Sequence, residues 1–334
     1  MTPRIVLHLG APKTGSTYVQ QRLAANRERL RERGVFFPRL PEVAAMAGNA
    51  KLLATALAGK PSPSFARAFP AIDVSRLDPA AVARRLIADW RPNDEALLLS
   101  AENLRPRHAP LLRALLPASA EVQPVLLIRR QDDWVDSYFN QLTKTGDIHE
   151  SVAAFVERLC GSTDERFCRP DWLDHVEAWE AAFGSCAVIF YDEVKDRLFE
   201  AFWQSARLPS CDLADVAPVQ ESIDIFQLGY LLAGRTHSHA EFLARRAAAA
   251  AASARLGLTP RRHSVLGKAE RIELKAAFAE SNARLLARLG RGADFGLLNI
   301  DTEADLDLGA FLAGAEFSDF RRAADALLAA PAAI

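Results

Sequence analysis

Cysteine, methionine and tyrosine are scarce in this chain, at 4, 2 and 4 copies among 334 residues. The cysteines, Cys160, Cys168, Cys186 and Cys211, form no CxxC pair and have no histidine pattern nearby that suits zinc, which excludes a structural zinc module and leaves reduced thiols. No apolar run approaches the roughly 20 residues needed to cross a bilayer, so a membrane-spanning segment is not expected. The opening stretch MTPRIVLHLGAPK is too short, and too soon broken by glycine and proline, to read as a signal sequence. The expected compartment is therefore the cytoplasm. Neither sign of charge dominates, with 41 basic against 42 acidic residues, so no global field favours nucleic acid or an anionic membrane surface. Any anion must be held by a local site.

What the chain does have is apolar residues, 50% of the total, enough for a substantial core. RIVLHLG (4–10) is a β-branched and leucine run ending in glycine, which suits a buried strand. After it, Val19, Leu23 and Leu30 fall on one helical face, until Gly34 offers a stop. EALLLSAENL (95–104), VQPVLLIRR (122–130) and CAVIFYDEV (186–194) are further unbroken apolar runs, the last following a helix-like stretch around 170–183. Strands buried on both faces read this way, so the fold class predicted is α/β and three-layered, a central parallel sheet wrapped by helices. Residues 38–80 are expected to form loops and short helices. Beyond about 220 the chain turns alanine-rich and helix-favouring. One domain over 1–334 is expected, with an α/β core over 1–210 and an α-helical cap over 211–334.

The chemistry lies first in GAPKTGST, residues 10–17. Gly10 and Gly15 stand at the spacing of a nucleotide-binding P-loop and Thr17 fills its final hydroxyl position, but Ser16 occupies the place of the lysine that reaches β- and γ-phosphates. A lysine comes three residues early, as Lys13. A glycine turn feeding a helix N-terminus is an anion cradle, here for one or two oxyanion groups with Lys13 on its crest.

This stretch resembles the first signature of the sulfotransferases that use 3'-phosphoadenosine-5'-phosphosulfate (PAPS), G-x-P-K-[TS]-G-[TS]-[TS], at every position. The resemblance implies that Lys13 contacts the phosphosulfate bridge while Thr14, Gly15, Ser16 and Thr17 surround the 5'-phosphate. It also implies transfer without a metal, leaving 3'-phosphoadenosine 5'-phosphate (PAP) as product. The family's 3'-phosphate signature, an arginine at a strand end and a serine eight residues on, matches Arg129 and Ser137 in LLIRRQDDWVDSYFNQ, with Arg130 as the competing arginine. An arginine fork suits phosphate and keeps its charge. Gln131 and Asp132 stand where the family usually carries a proline after R-[ND]. Glu102, at the end of the intervening strand, holds the place of the family's general base, and Ser100 on the same side of that strand is a candidate to touch the transferred group. Trp134, Tyr138 and Leu142 recur at helical spacing and read as core.

The implied activity is sulfuryl transfer from PAPS to a hydroxyl or amine of a carbohydrate, glycolipid or small molecule. Two other readings remain open at this stage. AVIFYDE, ending in Asp192 and Glu193, resembles the acidic strand end of a magnesium-dependent P-loop kinase or ATPase, and a non-catalytic nucleotide- or glycan-binding member of the same fold would look alike. His8 lies in the first strand. His237 and His239 in RTHSHAEF have no third-ligand pattern, and His263 beside Arg261 and Arg262 forms a basic cluster open to an anionic group.

Overall fold

A computed structural model describes residues 3–91, 93–161, 168–210, 212–217, 223–234, 236, 238–258, 264–292, 298–303 and 306–330. Cys211, His237, Arg261, Arg262 and His263 lie outside the described residues. The strands are β1 (Arg4–Gly10), β2 (Val35–Phe36), β3 (Ala96–Ser100), β4 (Glu121–Ile128) and β5 (Ala187–Phe190). The helices before β4 are α1 (Ser16–Ala25), α2 (Arg27–Glu32), α3 (Lys51–Ala58), α4 (Pro63–Ala68), α5 (Pro79–Ile87) and α6 (His108–Leu115). After it come α7 (Gln131–Thr145), α8 (Val152–Gly161), α9 (Trp172–Phe183), α10 (Tyr191–Val194), α11 (Leu198–Ser205), α12 (Ile225–Ala233), α13 (His239–Arg255), α14 (Lys268–Arg288), α15 (Leu308–Ala313) and α16 (Ala315–Ala329). Two compact units result: residues 1–129, 171–219 and 281–297, and residues 130–170, 220–280 and 298–334.

The first unit carries the predicted parallel sheet, in the order β2-β3-β1-β4-β5. Alternation along each strand divides the apolar side chains between two faces. Val6, Leu98, Val125, Leu127 and Ile189 join Val19 and Leu23 of α1, Leu30 of α2 and Leu198, Phe199 and Phe202 of α11 in one core layer. Ile5, Leu7, Leu97, Leu99 and Ile128 are equally buried on the opposite face, where α9 packs on β4, α6 on α9 and α3 on α6. Helices on both faces make every central strand a buried one, hence the unbroken apolar runs of the sequence.

Two strand ends differ from the expected spans. Glu102 to Leu104 leave the strand and turn, and β5 stops at Phe190 because Tyr191–Val194 wind into α10. β2 spans only Val35 and Phe36, pairing with Ala96 and Leu97. The upper part of the β3 edge, beyond β2, is completed otherwise. The buried Asn49 side chain donates to Leu98 O (2.9 Å) and accepts from Ser100 N (2.8 Å), and Ala50 N donates to Ser100 O (3.1 Å). An amide side chain thus does what a third residue of β2 would do.

The second unit is helical throughout its described residues. α12 contacts α7, α13 and α16. The alanine run of α13 buries Ala248, Ala249 and Ala252, and their small side chains admit α16 closely. Phe226, Phe311, Phe317 and Phe320 interlock there, with Tyr230 Oη donating to Asp325 (2.7 Å). No helix among the described residues is long and apolar enough to cross a membrane.

Phe202 has no exposed surface and anchors the layer between α11 and the sheet. Phe202→Ala is expected to lower unfolding free energy by about 3–5 kcal/mol, read from the denaturation midpoint at constant m-value.

Candidate active site

The β1–α1 loop leaves the centre of the sheet under two steric constraints. A Cβ on Gly10 would lie 1.6 Å from Ser16 Oγ, so only glycine lets the loop close on the first turn of α1. A Cβ on Gly15 would lie 2.3 Å from Leu198 Cδ2 and 2.9 Å from Tyr191 Cε2, and its φ of 82° is left-handed. Lys13 is also left-handed, at φ 68°. For a residue with a Cβ that conformation costs of order 1–3 kcal/mol, the kind of strain that collects at ligand sites. Thr14 and Ser16 are buried: the Thr14 hydroxyl donates to Ala11 O (2.7 Å) and lies 3.3 Å from Ser16 Oγ. Gly15 O accepts from Tyr18 N (3.0 Å), and no side chain caps α1 at Gly15. The residue in the usual P-loop lysine position is thus a hydroxyl turned inward beneath Gly10, while Lys13 and Thr17 are half-buried.

Arg129 follows β4 in the same unit. Its guanidinium lies over the Tyr191 ring (5.3 Å), the ring that also abuts Gly15, and its Nε stands 3.6 Å from Asp192 Oδ1. That distance is an ion pair beyond hydrogen-bond reach, and the buried Nε has no hydrogen-bond partner among the described residues. Its carbonyl accepts from Trp172 Nε1 (2.7 Å), which fixes the backbone. Asp192 therefore faces an arginine, a simpler role for the acidic strand end than metal binding.

Arg130 is engaged in the second unit. It grips Asp132 Oδ1 through Nε (2.6 Å) and Oδ2 through Nη2 (3.0 Å) and reaches Asp133 (3.3 Å), and buried Arg271 Nη1 also donates to Asp132 Oδ2 (2.6 Å). Asp132 is the centre of this pair of arginines. Ser137 is half-buried on α7 in that unit. Its neighbour Asp136 accepts from Val265 N (2.7 Å), and burial pushes its carboxyl up to about 6 against the pull of the Val265 and Ser264 hydrogen bonds. Trp134, Tyr138 and Leu142 are buried as core, Trp134 and Tyr138 in ring contact.

Glu102 is half-buried in the turn after β3, its Oε1 3.4 Å from Lys51 Nζ. Lys51 carries no motif signal. Asn49 ties the preceding loop to β3, so α3 starts where its first residue meets the glutamate. Ser100 differs from the sequence expectation. It has no exposed surface, and its hydroxyl shares a 2.7 Å hydrogen bond with His8 Nδ1, its partner in the β1–β3 register. The His8 ring stacks obliquely on Phe202 (4.8 Å), its Nε2 has no partner among the described residues, and burial lowers its pKa to about 3. Burial likewise raises Cys160 to about 11 and Cys186 to about 12, so neither is a thiolate at neutral pH. His239 stacks on Phe242 (6.0 Å).

With this geometry in view, likeness to a solved structure decides the fold. The sulfotransferase from Alicyclobacillus acidocaldarius superposes with a TM-score of 0.50 at 13% identity, over 87% of this chain and 97% of that one. The chain has the sulfotransferase fold. A sulfotransferase domain from the curacin biosynthetic pathway matches more loosely (TM-score 0.33, 14% identity, 62% of this chain and 75% of that one). So does retinol dehydratase in complex with androsterone and the inactive cofactor PAP (0.35, 13%, 100% and 83%). No protein-family model and no curated protein sequence matches the chain. In this sulfotransferase fold the residues after β1, β3, β4 and β5 all emerge at the carboxyl edge of the sheet, the position at which open α/β sheets bind ligands.

The unfolded chain takes up the His8 proton near pH 6.5 and the folded chain near 3, so between these values the unfolded state holds more protons. Stability is therefore complete above pH 6.5 and falls as pH falls. Between pH 7 and 5 the wild type is expected to lose about 2 kcal/mol more than His8→Gln, measured by urea denaturation at each pH.

Proposed function

We propose that the protein is a PAPS-dependent sulfotransferase, transferring the sulfuryl group to a hydroxyl or amine of a carbohydrate, glycolipid or small molecule. The observation that carries this reading is the β1–α1 loop, in which GAPKTGST combines left-handed Lys13 and Gly15 with a Ser16 turned in beneath Gly10. A triphosphate needs a cation at position 16; a sulfated adenylate needs one at the bridge, where Lys13 is assigned.

In the proposed reaction the acceptor oxygen or nitrogen forms a bond to sulfur as the bond between sulfur and the 5'-phosphate bridging oxygen breaks. Glu102 takes the acceptor's proton, a contribution of about 10²- to 10⁴-fold. Lys13 and the amides of Thr14, Gly15, Ser16 and Thr17 stabilise the charge that collects on the departing 5'-phosphate, leaving PAP. Arg129 binds the 3'-phosphate. The unbonded Nε of Arg129 supports its choice over Arg130, whose guanidinium is already committed to Asp132.

Incubation with labelled PAPS and fractionated small molecules and glycans from the source cells is expected to give transfer that is absent in Lys13→Ala. Lys13→Ala and Glu102→Gln should lower kcat about 10²-fold or more with little change in PAP affinity. Arg129→Ala should instead weaken PAP binding by on the order of tenfold to a hundredfold, measured by calorimetry. Magnesium-dependent ATP binding with no PAP binding would replace this reading with a kinase; PAP binding without transfer to any fraction would leave a binding protein.

A further inference from the structure

The turn that presents Glu102 is unusually rich in cations. Lys51 Nζ meets the Glu102 carboxylate at 3.4 Å from the start of α3, and Arg105 Nη1 reaches Glu102 O at 3.4 Å from the far side of the same turn. Both contacts are at the long limit of hydrogen bonding, and Lys51 is 30% exposed at the side chain. Arg107 follows two residues on, its Nε 3.2 Å from His108 Nε2. The Glu102 carboxylate thus meets Lys51 while Arg105 holds the backbone of the same turn, and both cations are half-buried.

The supporting structure is rigid. Asn49 locks the segment before Lys51 to β3 by two hydrogen bonds, and Thr55 Oγ1 donates to Lys51 O (2.8 Å) while accepting from Asn103 Nδ2 (3.4 Å). Lys51 and Glu102 are therefore fixed relative to each other by their backbones, and only the ammonium and carboxylate ends can move apart. An anionic group on an incoming molecule would compete for Lys51 and Arg105, neutralise the local excess of positive charge and free the carboxylate.

We propose that Lys51 and Arg105 form an anion-recognition subsite beside Glu102, and that the acceptor carries a carboxylate or phosphate next to the group to be sulfated. The proposal rests on the sulfotransferase reading for the word acceptor; the anion subsite itself does not. Lys51 then acts as a specificity residue, exchanging Glu102 for the acceptor's anion. Neutral molecules leave the pair closed and bind weakly.

Ligand-observed NMR with the full chain, with and without saturating PAP, tests this using methyl β-glucuronide, glucose 6-phosphate and methyl β-glucoside. At least one anionic sugar is expected to bind tenfold or more tightly than the neutral glucoside, and the two anionic probes separate carboxylate from phosphate preference. Lys51→Gln and Arg105→Gln should each reduce that preference several-fold, Lys51→Arg should largely keep it, and PAP affinity should not change in any of them. Equal or undetectable binding of the anionic sugars, or a preference untouched in both glutamine variants, overturns the subsite. Failure of PAP to bind while the anion preference persists would instead count against the sulfotransferase reading alone.

Discussion

The absence of side chains at Gly10 and Gly15 is the constraint on which the rest of the site depends. Backbone at these positions runs against Ser16 Oγ on one side and against Leu198 and Tyr191 on the other, so the loop is squeezed between the first turn of α1 and the chain following β5. That compression places the loop at the middle of the sheet, because β1 is the strand flanked by both β3 and β4. Glu102 follows one neighbour and Arg129 the other. In a parallel sheet the ends of adjacent strands lie about 5 Å apart, so the residues that follow three neighbouring strands share one edge without any long-range device to gather them. The left-handed Lys13 is the visible cost of the arrangement, since a lysine would not adopt that conformation in an ordinary turn.

Polar groups inside the first unit serve this edge as much as they serve stability. β2 is too short to pair with the end of β3, and Asn49 substitutes for it, satisfying Leu98 O and Ser100 N where an open edge would otherwise be buried. The same substitution sets the start of α3 and brings Lys51 to Glu102. On the other side of β3, His8 and Ser100 pair across the strands as neutral groups. A charged imidazole there would lack water and a counter-ion, and this explains its lowered pKa. The end of β3 is thus held from both sides by side-chain hydrogen bonds, and the turn bearing Glu102 starts from a fixed strand end.

The legible parts of the molecule were those whose signal is local. Unbroken apolar runs announced β1, β3, β4 and β5 because burial on both faces removes polar alternation, and the glycine spacing of residues 10–17 announced the loop because its steric demands fall on single residues. Strand ends were less legible: Tyr191–Val194 continue the apolar composition of β5 yet wind into α10, since composition alone does not separate a strand from a short helix. β2, with two residues, has no period to detect. Lys51 and the role of Asn49 were invisible because their contacts join residues about fifty positions apart, and the burial of Ser100 was missed because a serine at a strand end looks the same in sequence whether it meets solvent or His8. Likewise, the grouping of α7 with α12 is made by tertiary contacts that no window of sequence contains.

Arg129 and Arg130 show how neighbours in sequence acquire different capacities. Asp132, whose side chain has no exposed surface, must be neutralised where it lies, and Arg130 and Arg271 together do so with hydrogen bonds to both carboxylate oxygens. Arg130 is therefore spoken for by the fold. Among the described residues Arg129 has the Tyr191 ring and Asp192, the latter at a distance that preserves Coulomb attraction without a hydrogen bond, and a buried Nε–H with nothing to receive it. An unsatisfied buried donor costs about 1–3 kcal/mol, and the cost is larger when the group is charged. Such a group is disfavoured as pure scaffolding, since leucine or methionine would fill the space without the penalty. It is favoured where a phosphate arrives to complete the set of acceptors, because the donor is then already desolvated and oriented. Hydrogen-bond satisfaction distinguishes the two arginines: Arg130 is committed to Asp132, and the Arg129 Nε–H has no acceptor among the described residues.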